Sequence, residues 1–130
     1  MSDVLVDSSV WIDFLRGDAA AVQRVDPLLA ERRAAVSGPV YAEVVSGAPN
    51  RPAFDQLATL FHSVAWLVPP LAAWEEIAEA RFALARHGAQ THLIDLLIAV
   101  TALHSRHSLL TRDKDFRQIA RIVPVEIEIF

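Results

Sequence analysis

The chain has 130 residues, of which 53% are hydrophobic, so residues 1–130 are expected to form one domain with a substantial core. It lacks cysteine, a bilayer-spanning apolar run and a signal-like start, which excludes disulfides and thiolate metal sites and predicts a soluble cytoplasmic protein without membrane association. The net charge of −4 excludes nucleic-acid binding driven mainly by bulk positive charge, although it is compatible with a nuclease that has an acidic centre.

The apolar pattern predicts short strands that alternate with helices along the chain. In the first half, the elements are a strand at 3–6, helices at 10–15 and 19–33, a strand at 35–37, and helices at 39–47 and 51–62. In the second half, they are a strand at 66–68, helices at 71–86 and 94–105, a strand at 108–111, a helix at 115–120 and a strand at 123–127. Pro27 lies inside the second helical pattern and predicts a kink or a break there.

This alternation predicts a three-layer α/β fold, in which a parallel central sheet is flanked by helices. In such sheets, ligand sites lie outside the carboxyl ends of the strands. Asp7 and Asp113 each directly follow a predicted strand. Glu43 and Asp95 lie on predicted helices that can lean over the same edge.

These four carboxylates stand where apolar stretches should carry no charge. Asp7 and Asp113 end apolar runs, whereas Glu43 and Asp95 interrupt them. Burying an ionised carboxylate is costly unless a cation or hydrogen bonds compensate it. Four such residues indicate convergence on a shared cation, and oxygen ligands alone favour Mg²⁺ or Mn²⁺.

Each carboxylate also has a structural alternative. Asp7 could serve only as a helix N-cap, and Asp113 could belong to a capped turn, although Asp115 fits that cap better. Glu43 could face water. Asp95 is the hardest to explain without a cation, because its helix is apolar all round.

Together the carboxylates fit metal-assisted hydrolysis of a phosphodiester bond. Ser9 and Thr111 are small hydroxyl residues placed to orient the ligands, although either could be a turn residue. Three basic residues lie close to Asp113 in the sequence, namely Arg112, Lys114 and Arg117. They can contact a substrate phosphate or pair with neighbouring acids.

The ordered motifs resemble those of a known family. They are Val-Leu-Val-Asp-Ser-Ser-Val-Trp-Ile ending at Ile12, Glu43 followed by Gly47, Ile-Asp-Leu-Leu-Ile-Ala around Asp95, and Thr-Arg-Asp-Lys-Asp-Phe starting at Thr111. In this order and spacing they resemble PIN-domain ribonucleases, and among these the VapC toxins of bacterial toxin–antitoxin pairs. His92 departs from the pattern, since relatives more often carry small residues before the Asp.

The resemblance implies a PIN-like fold and an Mg²⁺- or Mn²⁺-dependent endoribonuclease that cleaves cellular RNA. Its acidic residues would be Asp7, Glu43, Asp95 and Asp113, with Asp115 as a variable fifth member. It also implies a homodimer, to which apolar surface around Trp74 and Phe82 would contribute, and a VapB-like antitoxin that directs an Arg or Lys into the acidic groove.

Several alternatives stay open. The acidic centre could belong to a nuclease that acts on DNA, or the chain could be a non-enzymatic protein-binding module whose carboxylates are caps or partner contacts.

Trp11, Leu15 and the segment around Phe54 are candidates for the strip on which an antitoxin docks. His104 and His107 are spaced as a zinc pair can be, but a surface role near a helix end is expected of them.

Overall fold

The computed structural model describes residues 3–130. This part of the chain contains five short strands and seven helices. Each of the first four strands is followed by at least one helix, and the fifth strand is the last element. In chain order the elements are β1 (Val4–Val6), α1 (Ser8–Leu15), α2 (Ala19–Ala30), β2 (Ala34–Ser37), α3 (Gly38–Ser46), α4 (Arg51–His62), β3 (Ala65–Leu67), α5 (Ala73–Arg86), α6 (Leu93–His104), β4 (Ser108–Thr111), α7 (Phe116–Ile119) and β5 (Ile127–Ile129).

All five strands are parallel and lie in the order β3-β2-β1-β4-β5. The central strand β1 pairs on one side with β2, where Leu5 faces Ala35, and on the other with β4, where Leu5 faces Leu109. These three residues are fully buried because helices cover both faces of the sheet. The predicted parallel α/β fold is confirmed. Since β1 and β4 are neighbours, the residues that follow them meet at one edge.

Helix α6 explains why residues 94–105 are apolar on every side. Seven consecutive residues, from Leu96 through Ala102, are buried between the sheet and the neighbouring helices. Within this stretch the Thr101 hydroxyl donates to the Leu97 carbonyl at 2.6 Å, which satisfies its hydrogen-bonding capacity inside the helix. None of the helices in residues 3–130 is long and apolar enough to cross a membrane.

Trp11 lies at the centre of an aromatic cluster that joins α1 to α4. Its side chain is 0% exposed, and its ring meets Phe61 edge-on at 5.0 Å between centroids and Phe14 at 6.0 Å. Tyr41 of α3 packs against the other side of Phe61 at 5.9 Å. Trp11 therefore belongs to the core, and its assignment to an antitoxin docking strip was wrong.

The last strand differs most from its prediction. Residues 123–127 were expected to form it, but β5 spans Ile127–Ile129. Pro124 has no N–H for a ladder, and the Val125 N–H donates to the Val123 carbonyl at 2.8 Å in a tight turn. Val123 and Val125 are still buried, so their apolar character reflects core packing rather than strand pairing.

Helix α2 runs through Pro27 and ends at Ala30, three residues before the predicted end. Arg32 adopts a φ of 55°, in the left-handed region. The next N–H, that of Arg33, turns back to the Leu28 carbonyl at 2.7 Å. Arg32 in the left-handed region and this backbone hydrogen bond therefore close the end of α2 before β2 begins. Pro27 lies inside α2 and does not break it.

Replacement of Trp11 by Ala is expected to lower the free energy of unfolding by about 3–5 kcal/mol, the usual cost of removing a large buried aromatic side chain. Trp74→Ala is the matched control, because Trp74 is 47% exposed and should cost far less. Urea denaturation followed by circular dichroism measures both values. Equal losses in the two variants would contradict the core position of Trp11.

Candidate active site

Asp7 directly follows β1 at the carboxyl edge of the sheet and is only 5% exposed. Its Oδ2 accepts hydrogen bonds from the Ser9 hydroxyl and from the Thr111 hydroxyl, both at 2.8 Å. Asp7 is the N-cap residue of α1, but its side chain makes no capping hydrogen bond. The carboxylate therefore points across to β4 instead of into its own helix, and the simple cap interpretation does not hold.

The loop after β4 is tied to the same hydroxyls. The Asp113 N–H donates to Thr111 Oγ1 at 3.0 Å, and the Arg112 N–H donates to Ser9 Oγ at 3.1 Å. Each hydroxyl thus donates to Asp7 and accepts from the loop that carries Asp113. Ser9 and Thr111 thereby position two of the predicted site residues relative to each other.

Asp113 and Asp115 form a local turn. The Asp115 N–H donates to Asp113 Oδ1 at 2.9 Å, while the Asp115 side chain makes no capping hydrogen bond to α7. Asp115 is the N-cap residue of α7, as expected from its position, but the Asp113 carboxylate rather than the Asp115 side chain supplies the acceptor in this loop. Asp115 is exposed and its carboxylate makes no cap contact.

Asp95 lies in the first turn of α6 and is partly buried. Desolvation and, after it, the negative charges of Asp7, Asp113 and Asp115 together raise the pKa of its carboxyl from the ordinary 3.8 to about 6, while His92 opposes the shift. The carboxylates of β1, α6 and the β4 loop thus act on one another. They form a single acidic site, which is defined here as Asp7, Asp95, Asp113 and Asp115.

Glu43 lies outside this group. It is exposed on α3, and its charge is not among those that shift the pKa of Asp95. Within residues 3–130, no three His, Asp or Glu side chains approach closely enough to form a ready-made metal cage. The donor set of the acidic site nevertheless fits a hard divalent cation, since it offers carboxylate oxygens whose mutual repulsion a cation would relieve.

Arg112 is occupied elsewhere. Its Nη1 donates to Asp13 at 3.1 Å and to Asp18 at 2.7 Å, and its guanidinium stacks over Phe130 at 4.6 Å. The pKa of Asp18 is lowered first by the Ala21 N–H and then by Arg112. Arg112 thus pairs with acids of α1 and α2, while Lys114 and Arg117 are exposed. No local sequence signal identified Asp13 and Asp18 as its partners.

The two histidines near the end of α6 do not form a metal pair. His104 Nε2 lies 3.0 Å from Glu76 Oε1, on the neighbouring helix α5. His107 Nδ1 lies 2.7 Å from the Ser105 carbonyl. The expectation of a non-metal role agrees with these contacts.

Three comparisons identify the family. The PIN domain family model matches residues 4–122. Ribonuclease VapC11 of Mycobacterium tuberculosis is 32% identical over 133 residues, with 98% of each chain covered. Among solved structures, a toxin–antitoxin complex from Klebsiella pneumoniae matches with a TM-score of 0.70 and 28% identity, over 96% of this chain and 100% of that one.

A complex of VapBC2 from Rickettsia felis with a DNA fragment from its promoter has a TM-score of 0.78 at 18% identity, with 98% of each chain covered, and supports the fold alone. PIN-domain ribonucleases are in general dependent on divalent metal ions. The family match covers most of the chain, and it includes the strand and helix ends that carry the acidic site. The chain belongs to the PIN-domain family and, within it, to the VapC ribonucleases.

Proposed function

We propose that this protein is the toxin of a toxin–antitoxin pair and an endoribonuclease that hydrolyses phosphodiester bonds of cellular RNA in the cytoplasm, using Mg²⁺ or Mn²⁺. The observation that carries the proposal is the acidic site, where three separate elements place mutually repelling carboxylates at one sheet edge. Acids with perturbed pKa values cluster at catalytic and metal sites, which favours this function over that of a protein-binding module. The names of the curated relatives support RNA over DNA as the substrate.

Each acidic residue has a distinct part in the proposed site. Asp7 is held at Oδ2 by two hydroxyls and is the most fixed ligand, while Asp95 and Asp113 approach from α6 and from the β4 loop. The cation would supply charge neutralisation at the phosphoryl group and a lowered pKa for an attacking water. Glu43 and Asp115 are proposed as further ligands, Glu43 on the strength of the family motif.

Two of the three cations near the site remain candidates for phosphate contact. Lys114 and Arg117 are exposed beside Asp113, and their charges can offset the repulsion between RNA and the carboxylates. Arg112 is better described as a brace, because its ion pairs with Asp13 and Asp18 hold the β4 loop against α1 and α2.

The structural comparisons also support an antitoxin as a partner. The matched structures from Klebsiella pneumoniae and Rickettsia felis are complexes of a toxin with its antitoxin. We propose a VapB-like partner for this chain, with an Arg or Lys directed at the acidic site. Leu15, which is 41% exposed at the end of α1, and the partly buried Phe54 remain candidates for its apolar docking strip.

We also propose a homodimer. Exposed apolar side chains cluster where α5 meets the start of α6, namely Trp74, Phe82, Leu93 and Ile94. Trp74, Phe82 and Leu93 line one depression together with Ala78, Arg81 and the buried Ile77. An apolar patch of this kind on a small domain is typical of a protein interface, and a symmetric pair would cover it twice.

Asp7→Asn and Asp95→Asn are expected to reduce RNA cleavage by more than about 100-fold, because each keeps the side-chain shape and removes the charge that holds the cation. The assay uses purified protein, labelled single-stranded RNA and DNA of the same sequence, and added Mg²⁺ or Mn²⁺. Asp26→Asn is the control, since Asp26 is an exposed residue of α2. Cleavage by Asp95→Asn within a few-fold of the unmodified protein would refute the assignment.

The raised pKa of Asp95 predicts a pH-dependent stability in metal-free buffer. Between its ordinary 3.8 and about 6, the folded chain keeps a proton that the unfolded chain has lost. The free energy of unfolding should therefore fall as the pH rises through this interval, with the full loss present above it. In a chelator at pH 7.5, Asp95→Asn should melt at a higher temperature than the unmodified protein.

That difference in melting temperature should shrink as the pH falls through this interval and close below 3.8, where Asp95 becomes protonated in both states. Millimolar Mn²⁺ at neutral pH should raise the melting temperature of the unmodified protein and of Asp26→Asn more than that of Asp95→Asn. Differential scanning fluorimetry measures all of these values. A difference that is independent of pH, together with no effect of Mn²⁺, would argue against the metal site.

Co-expression with a small antitoxin gene that adjoins this one is expected to relieve growth arrest caused by the toxin. Leu15→Asp should weaken the complex in a pull-down, whereas Leu71→Asp, at an exposed position before α5, should not. Replacement of the antitoxin's inserted basic residue should weaken inhibition of cleavage more than it weakens binding. An antitoxin that binds while cleavage continues unchanged would contradict this mechanism.

A further inference from the structure

A cavity of about 510 Å³ lies at the start of α6, and none of the acidic-site residues lines it. It is formed by α5 and by the segment that leads into α6, and its lining consists of Arg81, Ala85, Ala89, Gln90, Thr91 and His92. We propose that this cavity is a nucleotide-binding subsite, which holds the single-stranded RNA nucleotide next to the bond that is cut. This proposal rests on the proposed ribonuclease function and names where its substrate specificity is set.

The position of the cavity follows from the start of α6. His92 is the N-cap residue of this helix, and Asp95 lies three residues later in its first turn. The Leu96 N–H donates to the His92 carbonyl at 3.2 Å, which closes that turn. Residues three apart on a helix are neighbours on its surface. His92 lines the cavity and its charge acts on the Asp95 carboxyl, so the cavity and the acidic site share this end of α6.

Arg81 supplies the positive charge of the cavity. Its Nε donates to the Thr91 carbonyl at 3.4 Å, which holds the guanidinium against the segment before α6. Among the described residues, no carboxylate lies within ion-pair distance of Arg81, whereas Arg112 of the β4 loop is paired with two. The terminal nitrogens of Arg81 thus remain available as donors in the single chain. Arg81 also lines the apolar depression at which the homodimer is proposed, so the two proposals share this residue. A free guanidinium beside an acidic site is what an RNA phosphate or base needs in order to be held there.

The other lining residues suit a base. Gln90 is exposed and presents an amide with both a donor and an acceptor, which can read the edge of an unpaired base. Thr91 Oγ1 is shielded from solvent and has no hydrogen-bond partner among residues 3–130. Such a buried, unpaired hydroxyl is rare and is commonly satisfied by a ligand or water. Ala85 and Ala89 add small apolar side chains, which leave room for a flat ring.

The size and chemistry together favour one nucleotide over other occupants. The volume lies within the range of about 300–1,000 Å³ that small-ligand sites occupy. Sequence-specific recognition of RNA uses unpaired bases, which stack on Arg or His planes and bond through their edges. His92 can provide such a plane at the mouth of the cavity. In this arrangement Arg81 determines affinity, and Gln90 determines which base is preferred next to the cleaved bond.

The first test measures binding without cleavage. Fluorescence anisotropy of a short single-stranded RNA is recorded with the unmodified protein in a chelator, so that no metal-dependent cut occurs. Arg81→Gln is expected to weaken binding by about tenfold, as loss of a charged hydrogen bond does. Arg86→Gln is the matched control on the same helix, because Arg86 stacks over Phe82 outside the cavity lining. Equal affinities for the two variants would overturn the subsite.

The second test measures specificity with metal present. Cut sites in a randomised single-stranded RNA pool are sequenced for the unmodified protein, for Gln90→Ala and for Arg86→Gln. Gln90→Ala should change the base preference beside the cleaved bond and raise KM while kcat stays near its original value. An unchanged preference, or a fall in kcat alone, would overturn the role given to Gln90. Gln90 is exposed, so this variant carries the test even if Arg81→Gln is unstable.

The outcomes separate the subsite from the proposed function. If the unmodified protein cleaves RNA and the Arg81 and Gln90 variants behave like Arg86→Gln, the subsite is wrong and the ribonuclease assignment stands. If the variants lose RNA affinity in the chelator while Arg86→Gln does not, the subsite is supported even if the unmodified protein fails to cleave the RNA. Loss of antitoxin binding by Arg81→Gln, with RNA affinity unchanged, would assign the cavity to the protein partner and overturn the proposal.

Discussion

The arrangement of the functional edge depends on the two hydroxyl hydrogen bonds that Asp7 accepts at Oδ2. Ser9 donates from the start of α1 and Thr111 from the end of β4, so one buried carboxylate joins elements about 100 residues apart in sequence. Both hydroxyls also accept N–H groups from the loop after β4. If the hydroxyls were removed, Asp7 would be a buried charge without partners, and the Asp113 loop would lose its contact with β1.

Asp95 represents the opposite situation, an acid whose surroundings disfavour its charge. It is placed by a helix that the core requires, since the seven residues after it are buried, and there the charges of the other carboxylates act on it. Such local conflicts are expected at functional sites, where binding rather than folding relieves them. The same edge thus combines Asp7, whose carboxylate accepts two hydrogen bonds, with Asp95, whose ionised form is disfavoured by neighbouring charges. A bound cation would relieve that repulsion.

The arginines near this edge divide into two kinds. Arg112 pairs with two acids, stacks on an aromatic ring and braces a loop, as an arginine does when its role is structural. Arg81 is held through Nε by a backbone carbonyl and keeps its other donors free. Proximity to a carboxylate motif in sequence favoured Arg112 as the substrate contact, yet only the fold shows which guanidinium is already satisfied. This contrast matters because an arginine bound by two carboxylates has little left to offer a phosphate.

The sequence by itself determined the elements that have strong local signals. Helix α4 matches its predicted bounds because Asn50 caps it, with Oδ1 accepting from the Ala53 N–H at 2.9 Å, and because Pro52 suits a first turn. Strand β4 and the parallel sheet also followed from pattern alone, and the pairing of β1 with β4 brings the residues that follow them to one edge. Tertiary structure decided the rest. Arg112 and Asp18 meet across 94 positions, and Trp11 packs against Phe61 of α4. These outcomes depend on contacts between distant segments, which local periodicity cannot encode.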